Sequence, residues 1–246
     1  MITGCAGVFQ GELLPVDIQQ SRQVLEVLRQ KEATISTLRG LFQATIGGTG
    51  FPISQDLNGV MAYHQPDRVH LKGFIRIGAP IFDFHREGNH YVLQFPAEGR
   101  VISGQVDRAG ENSEWDQTVL LSLRALDAVL GKIGSLPGSE AHVWKNDRFY
   151  RIDMPMPEAE RTPAESDAMI RTWVDNQTFE LQLIEYFRSS EDLVVSVECA
   201  DYREVQDKRS MESPSVRLPF HVKATDHRTM GGTVTLTFRE FILNAA

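Results

Sequence analysis

The sequence predicts a mainly β (α+β) fold: one large, strongly curved antiparallel sheet, a half-open β-barrel of about ten to eleven strands, covered by two main helices. Three observations predict it. Apolar and polar residues alternate over most of the 246 residues, and that period of two places every second side chain on one face of a strand. Short polar turn signals separate the alternating runs, which suits antiparallel neighbours, because a parallel connection needs a crossover helix. Only two segments carry a helical period.

In chain order, residues 1–16 read as a tether and residues 17–246 as one continuous domain. Asp17 is placed to cap a first helix running to Glu32, with Ile18, Leu25 and Leu28 at helical spacing. The alternating runs that follow include Val69, Leu71, Gly73, Ile75 and Ile77, then Tyr91, Leu93 and Phe95. Next, Ser113 and Asp116 fit a capping box, and Trp115, Val119, Leu123, Leu126, Leu130 and Ile133 form a helical stripe that ends at Gly131 and Gly134. A helix of this kind laid across an open sheet is expected to bury one face. Further runs are Phe179-Leu181-Leu183, Leu193-Val195-Val197-Cys199, Leu218-Phe220-Val222 and Val234-Leu236-Phe238, with turns at Glu87-Gly88-Asn89, Asn146-Asp147, Asp175-Asn176 and Ser189-Ser190. The period breaks between Phe238 and Phe241, the mark of a bulge near Arg239-Glu240. A sheet of this size has an inside, and either side chains and helices fill it or a ligand cavity remains.

Composition narrows the function. Lys and Arg number 25 against 33 Asp and Glu, a net charge of −8; with no basic run, the chain lacks the positive face that nucleic-acid binding requires. No apolar stretch reaches the length of a membrane-spanning helix. No nucleophile elbow, phosphate loop or dinucleotide fingerprint occurs, so no enzyme activity, catalytic residue or cofactor is expected. The segment Asp83-Phe84-His85-Arg86-Glu87-Gly88-Asn89-His90 holds two histidines and two carboxylates. It lacks any recognised ligand spacing and reads as a solvated hairpin face, so no metal is expected.

The opening Ile2-Thr3-Gly4-Cys5 resembles the lipobox that ends a bacterial lipoprotein signal peptide. By that resemblance Cys5 is a lipid anchor and not a disulfide partner, and Ala6 after it favours the periplasmic face of the outer membrane. Cys199 reads as a buried core thiol.

The order of helix, long meander, covering helix and further meander resembles the lipoprotein-localisation fold of the periplasmic lipoprotein carrier and the outer-membrane lipoprotein receptor. The details that carry the resemblance are Ile35-x-x-Leu38-Arg39-Gly40-x-Phe42, Tyr63-x-x-Pro66-Asp67-Arg68-Val69, Ile77-Gly78-Ala79-Pro80 and Leu236-Thr237-Phe238-x-x-Phe241-x-Leu243-Asn244. The resemblance implies a concave apolar sheet, lidded by helices, that takes up acyl chains of lipoproteins or lipids. It implies a cavity lined by Leu93, Phe95 and Leu183, and a loop at Phe74, Ile75 and Ile77 that touches membrane or cargo. Burial of methylenes drives such uptake without a catalytic group. The alternative is a scaffolding envelope lipoprotein whose interior is filled by side chains and which binds a protein partner.

Overall fold

The computed structural model describes residues 11–48, 51–75, 78, 80–106, 114–132, 141–156, 168–207, 215–228 and 231–244, with the backbone alone for 51–55 and 114–117. The elements run β1 (Leu14–Pro15), α1 (Ile18–Ala33), β2 (Thr37–Gly48), β3 (Phe51–His64), β4 (Arg68–Phe74), β5 (Pro80–Glu87), β6 (His90–Phe95) and β7 (Arg100–Gln105). After α2 (Glu114–Val129) come β8 (His142–Lys145), β9 (Phe149–Pro155), β10 (Met169–Asp175), β11 (Leu181–Ser189), β12 (Asp192–Val205), β13 (Val216–Asp226) and β14 (Gly232–Leu243). They form one antiparallel sheet in the order β1-β8-β9-β10-β11-β12-β13-β14-β2-β3-β4-β5-β6-β7. The sheet does not close, since β1 and β7 are its two edges.

Among the described residues there are fourteen strands, more than the ten or eleven expected. The extra ones lie where alternation is hidden. On β9 and β10, Tyr150, Ile152, Ile170 and Val174 face the core, while Phe149 and Trp173 are buried on the opposite face, their rings edge to face at 6.5 Å. Burial on both faces erases the period of two. β1 has two residues, so it carries no pattern; its Leu14 pairs with Lys145, and the Val16 amide donates to the Val143 carbonyl. The last residues of the expected tether are therefore docked on the sheet edge.

The Asp17 carboxylate accepts from the Gln20 amide at 2.8 Å and caps α1. Its buried residues are Val24, Leu25 and Leu28; Ile18, expected on that stripe, is 74% exposed because burial starts only at Val24. α2 packs against β12, β13 and β14. Val119, Leu123, Leu126 and Leu130 are buried as expected, and so are Leu121, Ala125, Ala128 and Val129, which point elsewhere around the axis. The expectation of one buried face is corrected: α2 sits inside the curve of the sheet and is enclosed on most sides. Gly131, at φ +65, ends it in a Schellman arrangement, with the Lys132 amide donating to Asp127 and the Gly131 amide to Ala128.

The concave face is crowded in a particular way. The Phe42 ring covers its cross-strand partner Gly59, and the Phe82 ring covers Gly73. A methyl group at either glycine would collide with the ring above it. The expected bulge is present, as the β14/β2 register shifts between Phe238 and Glu240.

Candidate functional site

The interior space between β-sheet and α2 is built from period-two positions on three adjacent strands. Leu71 on β4, Phe82 and Phe84 on β5, and Leu93 and Phe95 on β6 point inward, joined by Ile46 of β2. α2 closes the space with Val119, Leu123 and Leu126, and with the small hydroxyls of Thr118 and Ser122. Among the described residues no charged side chain lines it. The void measures about 60 Å³, room for roughly four water-sized groups. A void of this size is too small for a whole acyl chain.

Polar ties join the C-terminal end of α2 to the sheet and the β3–β4 hairpin. The Lys132 ammonium donates to Asp67 Oδ1 at 2.6 Å and to the Pro66 carbonyl at 2.8 Å, and Arg86 on β5 reaches Asp127 Oδ1 at 3.3 Å. The Tyr63 hydroxyl donates to the same Pro66 carbonyl at 3.0 Å, and burial, with the Asp67 charge beside it, pushes its pKa up to about 12. Sheet, hairpin and helix end are thus tied by charge-assisted hydrogen bonds, all near the end of α2.

A second cavity of about 390 Å³ lies where the C-terminal ends of α1 and α2 meet β11, β12 and β13. Its lining is mixed. Lys31 donates to the Thr178 and Phe179 carbonyls, burial lowers its pKa, and Arg217 pairs with Glu180 across the mouth.

On the outer face, β4 and β5 place four further groups together. His70 Nε2 lies 2.7 Å and His85 Nε2 2.8 Å from Asp83 Oδ1, while Lys72 Nζ lies 3.2 Å from Asp83 Oδ2. Partial burial alone would raise the Asp83 pKa; the hydrogen bonds from Lys72 and His70 and the nearby imidazoles outweigh it and hold the carboxyl below its ordinary value.

Of the residues singled out from sequence, Leu93 and Phe95 line the interior space. Leu183 does not. The register between β10 and β11 shifts between Trp173 and Val174, which skips Gln182 and turns Leu183 to the outer face beside Trp173, while Leu181 and Ile184 face the core. Phe74 ends β4 half-buried, and Ile75 after it is 43% exposed. Ile77 and Cys5 lie outside the described residues. Missed altogether were Phe82 and Phe84, whose spacing of two around Asp83 was the available signal, and His70, which is 13 residues from Asp83 in sequence and joins it only through strand pairing. Among the described residues no helix is long and apolar enough to cross a membrane.

No protein-family model and no curated protein sequence matches the chain. Solved structures do match in shape. A domain from Vibrio parahaemolyticus named as an outer membrane lipoprotein-sorting protein superposes with a TM-score of 0.59 at 10% identity, covering 92% of this chain and 94% of that one. A LolA superfamily protein from Nitrosomonas europaea gives 0.56 at 8% identity, over 92% and 94% of the two chains. A DUF1329 family protein from Desulfovibrio piger gives 0.56 at 10% identity, over 93% and 94%. With its curved open sheet, its enclosed second helix and these likenesses over nearly its full length, the chain has the LolA-like, lipoprotein-localisation fold.

Proposed function

We propose that this protein binds acyl chains of lipoproteins or lipids in the space between α2 and the concave face, acting in outer-membrane lipoprotein localisation or envelope assembly. The observation that carries the reading is the lining built from Leu71, Phe82, Phe84, Leu93 and Phe95, uncharged among the described residues, beneath α2. Transfer of methylenes from water to such a surface contributes about 0.8 kcal/mol per CH₂, a driving force for uptake that needs no chemical step. We propose further that a lipid on Cys5 anchors the protein to the periplasmic face of the outer membrane, with Phe74, Ile75 and Ile77 as a strip that touches membrane or cargo.

The test is titration with a fluorescent fatty acid, together with mass spectrometry of lipid carried through purification. Leu93→Glu is expected to weaken binding by about tenfold or more, because it sets a charge against methylenes, with the circular dichroism spectrum unchanged. No bound lipid and no fatty-acid binding by the wild-type chain would overturn the reading. Loss of metabolic palmitate label in Cys5→Ser tests the anchor.

The small interior void, about 60 Å³, favours a second reading: a scaffolding envelope protein with a filled core, recognised by a protein partner. Capture of a partner by protein that neither carries nor takes up lipid is the result that separates the two.

A further inference from the structure

On the outer face of the sheet, away from the lipid site and independent of it, strand pairing assembles a set of metal-ligand donors. His70 of β4 and His85 of β5 are direct cross-strand partners, and Lys72 and Asp83 are the next outward-facing pair along the same two strands. The two imidazole rings stack with centroids 4.0 Å apart. Both Nε2 atoms converge on one oxygen, Asp83 Oδ1, and the three donor atoms lie within 4.8 Å of one another. His70 and His85 are open to solvent, at 37% and 53% side-chain exposure, while Asp83 is more covered at 20%.

We propose that His70, Asp83 and His85 form a binding site for a divalent transition-metal ion, with zinc as the expected occupant. Two imidazoles and one carboxylate are the donor set of zinc and its neighbours, and they supply too few oxygens for calcium or magnesium. In a tetrahedral zinc site, bonds of about 2.0–2.1 Å put neighbouring donor atoms about 3.3 Å apart. The present separations of 2.7 and 2.8 Å therefore need to open by only about half an ångström, which small side-chain rotations supply.

Two features prepare the site. All three donors stand on paired strands, so their spacing is set by the sheet and not by a loop. Lys72 holds the far oxygen, Asp83 Oδ2, at 3.2 Å, the outer hydrogen bond that fixes a ligating carboxylate and leaves Oδ1 turned toward the imidazoles. Three protein donors leave the fourth position to water.

The test is calorimetric titration of the full chain carrying Cys5→Ala with zinc chloride in metal-free buffer, paralleled by cobalt(II) and its visible absorption. One ion per chain is expected. His70→Ala, Asp83→Ala and His85→Ala are each expected to lose about tenfold or more in affinity, since even an outer-sphere partner is worth about 10–100-fold. His221→Ala, at a histidine on β13 that hydrogen-bonds Thr237, is expected to bind as the parent does. His85→Gln, which keeps a polar side chain of similar size, serves if an alanine variant fails to fold by circular dichroism. Absence of saturable one-to-one binding, or affinity retained in the folded His70, Asp83 and His85 variants, overturns the proposal.

Discussion

Asn244 Oδ1 accepts hydrogen bonds from both the amide of Ser36, at 2.9 Å, and its hydroxyl, at 2.7 Å, tying the end of β14 to the turn after α1. The same oxygen takes the Thr37 amide at 3.0 Å, and the Asn244 amide group donates to the Thr34 carbonyl and to Asp207. Asn244 is buried and sits at φ +50, a conformation that asparagine tolerates better than most residues. Asn244→Ala is expected to lower stability by roughly 2–4 kcal/mol in urea unfolding, through stranded amides and backbone strain together. A loss below about 0.5 kcal/mol would show that the clasp is incidental.

Gly73→Ala tests the crowding of the concave face. The Phe82 ring must leave its place over Gly73 and turn into the interior space, at an expected cost of about 1–3 kcal/mol. Adding Phe82→Ala should restore part of that loss, and a thermal-melt double-mutant cycle without coupling would contradict the packing described.

The ties at the end of α2 should govern how fast lipid enters. Arg86→Gln with Lys132→Gln removes the links to Asp127 and Asp67. Stopped-flow uptake of a fluorescent fatty acid is expected to quicken several-fold; an unchanged rate would mean that α2 does not hinge there.

Asp175 sets an acid limit on stability. Its carboxylate accepts from the Gln177 and Thr178 amides and the Thr178 hydroxyl, and these bonds, outweighing the opposite effect of burial, lower its pKa below 3.8. A lowered folded-state pKa gives stability that is complete above the unfolded-state value and is lost as pH falls through the folded one. Asp175→Asn should flatten that part of the acid limb of urea-derived stability. Equal acid dependence in both proteins would refute the assignment.

Cys199 should be chemically silent in the folded state. Burial pushes its thiol pKa up to about 12, so almost no thiolate forms at neutral pH. In a Cys5→Ala background, a maleimide is expected to label Cys199 only after denaturation. Labelling at native rates comparable with those of free cysteine would contradict its place in the core.

How much of this was legible in sequence follows from which side chains have one neighbourly environment and which have two. Strands with one wet face, such as β4, β6 and β14, declared themselves by alternation, and Gly131 announced the end of α2. β9 and β10 did not, because Phe149 and Trp173 are buried on the far face. Leu183 was assigned to the wrong side because a single skipped residue, Gln182, inverts everything after it. The cluster at Asp83 was half visible: His85 stands two residues away, but His70 arrives by pairing between strands, which spacing along the chain does not encode. Alternation marks Leu93 and Phe95 as residues of one strand face, whereas Phe82 and Phe84, which stand beside them on the inner face, are masked by the charged residues of the same hairpin.

The pairing of β14 with β2 joins residues about 200 positions apart, as in Leu243 with Leu38. A chain made from its N-terminus has β2 long before β14 exists, so the two wings of the sheet wait as separate meanders, each with a bare edge, until β14 arrives. The two wings of the sheet are therefore joined late, and until then the bare edge of β2 is the surface most open to pairing with another strand.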